Sequence, residues 1–143
     1  MKPETAKQVA RRMASECLAV RVRRLGRVVT RIYDAALAPH GVSIAQLNLL
    51  AAIGAADGAN RAQLGRILDV EKSTLTRDLQ RMEQLGWIRA GPGRGGAISM
   101  TQEGGRLLTE ARPAWEEAQR AALEQLGRRA FVRLRQLLPG PGE

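Results

Sequence analysis

Six polar side chains gathered into ten residues carry the first chemical signal in this sequence: Lys72, Ser73, Thr76, Arg77, Gln80 and Arg81. All of them donate hydrogen bonds and the hydroxyls also accept, which suits phosphate oxygens and the edges of bases. Asp78, Glu71 and Glu83 dilute the charge but leave the donors concentrated near position 72. Chemistry of other kinds finds little support. His40, the only histidine, lies in a Pro-His-Gly turn with no second His or Cys nearby, so no metal site is expected. Nothing offers a histidine beside a nucleophile or a pair of buried carboxylates, so neither enzyme nor cofactor is expected. Gly91-Pro-Gly-Arg-Gly-Gly96 matches GxGxxG in form, but no βαβ unit surrounds it and a strand, not a helix, follows.

The elements that hold the six donors can be read from local pattern. Leu75, Leu79, Met82 and Leu85 recur at steps of 4, 3 and 3, so a helix buries that stripe and presents the donors opposite it. The N-terminal part of such a recognition helix enters the major groove. Gly86 sits where a left-handed cap belongs, and Trp87-Ile88 can fold back on the helix end. Upstream, Asn60 with Gln63 forms a capping box for a helix whose apolar side is Ala62, Leu64, Ile67 and Leu68. A break of about three residues at Asp69-Val70 then gives a helix-turn-helix. Gly65, inside the first of these helices, costs about 1 kcal/mol relative to Ala, and close approach of the recognition helix is its expected reason. Downstream, Ile88 and Ala90 alternate with polar neighbours, as do Ile98 and Met100. Between them lies a glycine-rich tip that carries Arg94, the pattern of a basic wing.

Composition fits this unit. The chain has 143 residues, few aromatics and 44% hydrophobic content, enough for a core made mainly of aliphatic side chains. Its net charge of +9 favours a polyanionic partner, nucleic acid before anionic membrane. One cysteine excludes an internal disulfide framework. No apolar run approaches the roughly 20 residues of a membrane span, and no apolar h-region follows the charged start, so a cytoplasmic protein with no membrane partner is expected.

Both flanks read as helical arms. Residues 1–8 are expected to fray and 9–38 to form one long helix, on which Leu18, Val22, Leu25, Val29, Ile32 and Ala36 keep a heptad-like spacing. That regularity suggests a seam against a partner helix. Residues 1–40 hold nine basic and three acidic groups, most of the excess charge. Pro39-His40-Gly41 ends the helix, and Ser43 with Gln46 opens the next. After the wing, Thr101 caps a final long helix interrupted by Pro113, with a kink near Thr109–Arg112 or a local adjustment expected. A last helix holds Phe131, Leu134, Leu137 and Leu138. Neither arm has an obvious core of its own, so pairing between two subunits, a homodimer, is expected. The expected fold is mainly α with a small two- or three-stranded β wing: a winged helix-turn-helix over 43–101 between dimerisation helices 9–38 and 105–138, all one domain of residues 1–143.

The run Arg27–Leu50 resembles the start of multiple antibiotic resistance regulator (MarR) proteins. So do Glu71-Lys-Ser-Thr-Leu-Thr-Arg-Asp-Leu79, Glu83-Gln-Leu-Gly-Trp-Ile88 and Met100-Thr-Gln-Glu-Gly104, in the family's order. The resemblance implies a homodimeric transcriptional regulator, usually a repressor, on pseudo-palindromic double-stranded operator DNA. It implies that Ser73, Thr74, Thr76 and Arg77 are recognition-helix contacts, that Arg61 touches the backbone, and that Arg94 enters the minor groove. Pro92 stands where the family often has an Asp that steadies this arginine. In the peroxide-sensing branch the reactive cysteine aligns with Ala19. Cys17 is two residues away, about 200° around a helix, and is read as a packed residue rather than a sensor. Family effectors lodge between the dimerisation helices and the DNA-binding lobe. Here Arg23, Arg24 and Arg27, with Arg31 beside them and an apolar wall of Leu25, Ile32, Leu47 and Trp115, would suit a small anionic aromatic ligand. The rival reading is an architectural or protein-binding winged helix without sequence preference, which the hydroxyl-rich face of residues 72–81 disfavours.

Overall fold

A computed structural model describes residues 3–56, 58–93 and 95–140 of the chain. It contains α1 (Ala6–Glu16), α2 (Leu18–Leu37), a 3-10 turn (Ala38–His40), α3 (Ile44–Ala55), α4 (Arg61–Leu68), α5 (Lys72–Gln84), strands β1 (Ile88–Ala90) and β2 (Ile98–Met100), α6 (Gln102–Leu126) and α7 (Arg128–Leu137). The mainly helical class with a small wing is therefore as expected. The wing has two antiparallel strands, with Ile88 opposite Met100 and Ala90 opposite Ile98.

Local capping sets most of the boundaries. Ser43 Oγ accepts from the Gln46 amide at 3.2 Å while Gln46 Oε1 accepts from the Ser43 amide at 3.1 Å. Asn60 and Gln63 repeat the arrangement at 3.0 and 2.9 Å. Each pair satisfies two amides that the first helical turn leaves without partners. Gly41 supplies the left-handed turn after the 3-10 segment, at φ +67°. One buried cluster joins the elements. Tyr33 and Leu37 of α2, Leu47, Leu50 and Ile53 of α3, Leu64 of α4, Leu75, Leu79 and Met82 of α5, and Ile98 of β2 all belong to it, with Ala111 and Ala118 of α6. The Tyr33 hydroxyl donates to Gln119 Oε1 of α6, and burial pushes the phenol's pKa above its ordinary value.

Three expectations need correction. The first arm is two helices rather than one over 9–38. Cys17 sits between them with φ −61° and ψ 114°, and neither proline nor glycine marks the place. Side chains occupy the carbonyls there: Ser15 Oγ donates to the Arg12 carbonyl, and the Arg21 guanidinium donates to the Ser15 carbonyl. The start is also more ordered than expected, because Thr5 and Gln8 form a capping box that opens α1 at Ala6. α6 continues through Pro113 over its 25 residues. Thr109, whose carbonyl loses its donor, and Pro113 itself are exposed, so solvent can satisfy that carbonyl. Finally, Gly65 is not forced by a tight approach. A Cβ there would stand 3.5 Å from Leu75 Cδ2, ordinary contact.

Close packing does demand glycine at Gly96 of the wing, where a Cβ would lie 2.4 Å from the Gly91 carbonyl oxygen, and at Gly104, on the first turn of α6. At Gly104 an added Cβ would lie 2.2 Å from the Trp87 carbonyl oxygen. That carbonyl also accepts the Thr101 amide at 3.0 Å, so the start of α6 is held against the residues that follow α5. Among the described residues no single helix is long and apolar enough to cross a membrane.

Candidate nucleic-acid interface

α5 is anchored by one face and presents the other. Leu75, Leu79 and Met82 are buried, while Lys72, Ser73, Thr74, Arg77, Gln80 and Arg81 are exposed and Thr76 is half-buried at the edge. The residue before its first turn is Glu71, whose side chain makes no capping bond. The first amides of α5 therefore point outward without a side-chain acceptor, a favourable setting for an anion. The other end is closed tightly. The Trp87 amide donates to the Met82 carbonyl and the Gly86 amide to that of Glu83, both at 3.0 Å, with Gly86 at φ +77°. This double bond pattern, with Trp87 and Ile88 buried against the core, fixes where the chain leaves α5.

The turn before α5 uses a strained residue. Asp69 is the one non-glycine residue at positive φ among those described, at +50°. Its amide and that of Val70 both return to the Gly65 carbonyl. The resulting cleft between α4 and α5 has a volume of about 800 Å³ and is floored by Ala62, Gly65, Val70 and Leu75. Arg61, Arg66, Lys72 and Thr76 stand around it, with Asp69 as its acidic member. Thus Arg61, the first residue of α4, shares this cleft with Lys72 and Thr76 of α5, and Arg66 joins them. Residue type and spacing do not single out Arg66; its place in the α4–α5 cleft does.

The wing adds a second basic surface. Arg89 and its partner Ser99 face outward, while Ile88 and Ile98 face the core. Backbone bonds close the hairpin from Gly91 to Ala97 at 2.8 Å and tie the Ile98 amide to the Ala59 carbonyl at 2.9 Å, just before α4. Arg94, the expected wing contact, lies outside the described residues. Among the described residues, no salt bridge engages Arg61, Arg66, Lys72, Arg77, Arg81 or Arg89; the ion pairs lie on α1 and α6. Their charge is uncommitted within the protomer.

The expected effector residues do not come together. Arg23 and Arg27 share a shallow groove on α2 with Gly26, Thr30 and Arg31, but neither Arg24 nor Trp115 lines it. Arg24 is rotated by about 100° from Arg23 around the helix. Trp115, on α6, packs against the buried core. A separate apolar groove joins α2, α6 and α7 through Val22, Leu25, Val29, Leu123, Phe131 and Leu134. Among the described residues, no group of three or more His, Cys, Asp or Glu side chains could hold a metal ion.

The model of the MarR family matches residues 40–97. The transcriptional regulator PecS of Dickeya dadantii is 29% identical over 122 residues, which are 80% of this chain and 74% of that protein. The structure of the M. tuberculosis transcriptional regulator MosR in complex with DNA aligns with a TM-score of 0.74 and 31% identity, covering 85% of this chain and 94% of that one. A mutant MarR from E. coli complexed with operator DNA aligns with a TM-score of 0.76 over 89% of this chain and 94% of that one. At 20% identity, that likeness concerns the fold alone.

Proposed function

The chain belongs to the MarR family, and from that premise we propose that it is a sequence-specific transcriptional repressor acting as a homodimer on a pseudo-palindromic operator. Residues 43–101 are the DNA-reading lobe, and 9–38 with 105–138 form the dimer seam. The observation that carries this reading is the face of α5, where Lys72, Ser73, Thr74, Thr76, Arg77 and Arg81 stand opposite a fully buried leucine and methionine stripe. Lys72, Arg61 and Arg66 meet phosphates, and the outward amides of the first turn of α5 add to them. Arg77 and the hydroxyls reach base edges. The exposed apolar residues of α2 and α7 support the dimer. Two copies related by a two-fold axis would set two α5 helices about 34–36 Å apart, on successive turns of one DNA face.

The test is a titration of the protein against a palindromic fragment from upstream of its own gene and against random DNA, across a salt series. Both affinities should fall steeply with salt, because phosphate contacts release counterions. The palindrome should stay at least about a thousandfold tighter at physiological salt. Equal affinities for the two would instead indicate an architectural winged helix.

A further inference from the structure

The most consequential bond between α2 and the 43–101 segment belongs to a residue outside the interface. Asp34 is the only acid on α2, a helix that also carries Arg21, Arg23, Arg24, Arg27 and Arg31. Helical neighbours three and four positions apart readily pair, yet among the described residues Asp34 forms no salt bridge. Its Oδ1 instead accepts the amide of Ile44, the first residue of α3, at 2.7 Å in a half-buried setting. The distance is that of a bond to a charged acceptor. Ser43 and Gln46 already satisfy two other amides of that turn, and α3 has no acid in its own first turn. Asp34 therefore supplies, from another helix, the negative charge that a helix start favours.

α3 is the hub through which this bond acts. It packs on α2, on α4, on β2 and on α6. The remaining contact between α2 and α3 is apolar, between Tyr33 and Leu37 on one side and leucines of α3 on the other. Apolar contact is non-directional and permits small rotations; a short hydrogen bond does not. Among the described residues Asp34 is the only side chain of α2 that bonds the 43–101 segment.

We propose that Asp34 is a positioning residue for operator recognition: by holding the first turn of α3, its carboxylate sets the angle between the arm helices and the DNA-reading lobe, and so the separation of the two recognition helices in the dimer. The proposal rests on the reading of residues 43–101 as a DNA-binding lobe within a homodimer. One base pair of half-site spacing corresponds to about 3.4 Å and roughly a tenth of a turn, so a loosened lobe shows itself as a lost spacing preference.

The experiment measures binding of the full-length protein to its palindromic operator, to versions with one base pair inserted or removed at the centre, and to random DNA. Asp34→Ala should weaken operator binding about tenfold, the scale of one hydrogen bond to a charged group, while narrowing the difference among the three spacings. Random-DNA affinity and dimer mass should stay as in wild type. Asp34→Asn, which keeps an acceptor, should recover most of the spacing preference. A cycle with Ile44→Pro isolates the bond. Proline suits the first helical position, Ser43 is already extended at φ −85° and ψ 160°, and the substitution removes the donor. In that background Asp34→Ala should have no further effect. A full Asp34→Ala penalty with Ile44→Pro, or a spacing profile unchanged in Asp34→Ala and Asp34→Asn, overturns the proposal. Absence of operator preference in wild type would instead remove the reading on which it rests.

Discussion

The segment from Ile44 to Met100 and the two arms obey the same packing rules, with opposite results at their surfaces. In the segment, each helix buries an apolar stripe against the others and exposes polar side chains. In the arms, the apolar stripe remains outside. Of the eleven large hydrophobic side chains that stay exposed among the described residues, Ile67 and Leu85 lie in the segment. The other nine lie on α1, α2, α7 and the residue after α7, Leu138. Val22, Leu25 and Leu134 among them line one apolar groove between α2, α6 and α7, the kind of contiguous surface that a monomer rarely leaves in water. The difference teaches that the segment is complete in burial and turns one face of unpaired basic side chains outward, whereas the arms, which carry most of the net charge, are incomplete in burial. The first surface suits a polyanion and the second suits another copy of the chain.

The strongest way to break this comparison is to charge the arm. Val22→Asp together with Leu25→Asp would place carboxylates in the apolar groove of α2. Burying an unpaired charge costs several kcal/mol, so the dimer should dissociate and operator affinity should drop on the order of a hundredfold. Sedimentation alongside DNA titration checks this, and an intact dimer would show that another face forms the seam. Next in size is Arg77→Ala on α5. It should cost about 1–3 kcal/mol of operator binding and narrow the gap between operator and random DNA, with the dimer intact. A smaller effect is expected for Arg66→Gln at the α4–α5 cleft. It should weaken binding to all sequences alike and reduce the slope of log affinity against log salt by about 1. The smallest is Gly65→Ala. With room for a Cβ and a helical backbone, it should leave DNA binding unchanged and raise stability by up to about 1 kcal/mol in thermal unfolding.

How much was legible follows from the range of each interaction. Capping boxes at Ser43 and Asn60, the left-handed cap at Gly86 and the wing hairpin involve residues close in sequence, and each could be read from residue type and spacing. The faces of α5 were equally plain, since a helical period needs only its own thirteen residues, except that Leu85, read as part of the buried stripe, lies just past the helix and is exposed. The break at Cys17 was not legible, because side chains rather than proline or glycine occupy the carbonyls there. Gly65 and Gly104 show the same limit from two sides. Both are glycines inside helices, but only the packing reveals that Gly104 meets the Trp87 carbonyl while a Cβ at Gly65 would make no more than ordinary contact. The bond from Asp34 to Ile44 spans ten residues and a turn, and an arginine-rich helix gave every reason to expect an ion pair instead. The scattered effector residues have a related cause. Charge composition identified the arginines, but their rotation around α2 decides which of them share a groove.

Thr101 has a mechanical consequence beyond its role as a cap. Its hydroxyl oxygen accepts the Gly104 amide of α6 at 3.1 Å and donates to the Gly86 carbonyl at the end of α5 at 2.5 Å. One side chain thus rivets the base of the longest helix to the base of the recognition helix and to the root of the wing. At 1.5 Å per residue, the 25 residues of α6 make a lever about 37 Å long. A tilt of about 5° at the riveted end swings the far end by about 3 Å, and the reverse holds as well. Any event at the distal end of α6 is geared down into a small rotation of α5 and the wing moving as one body.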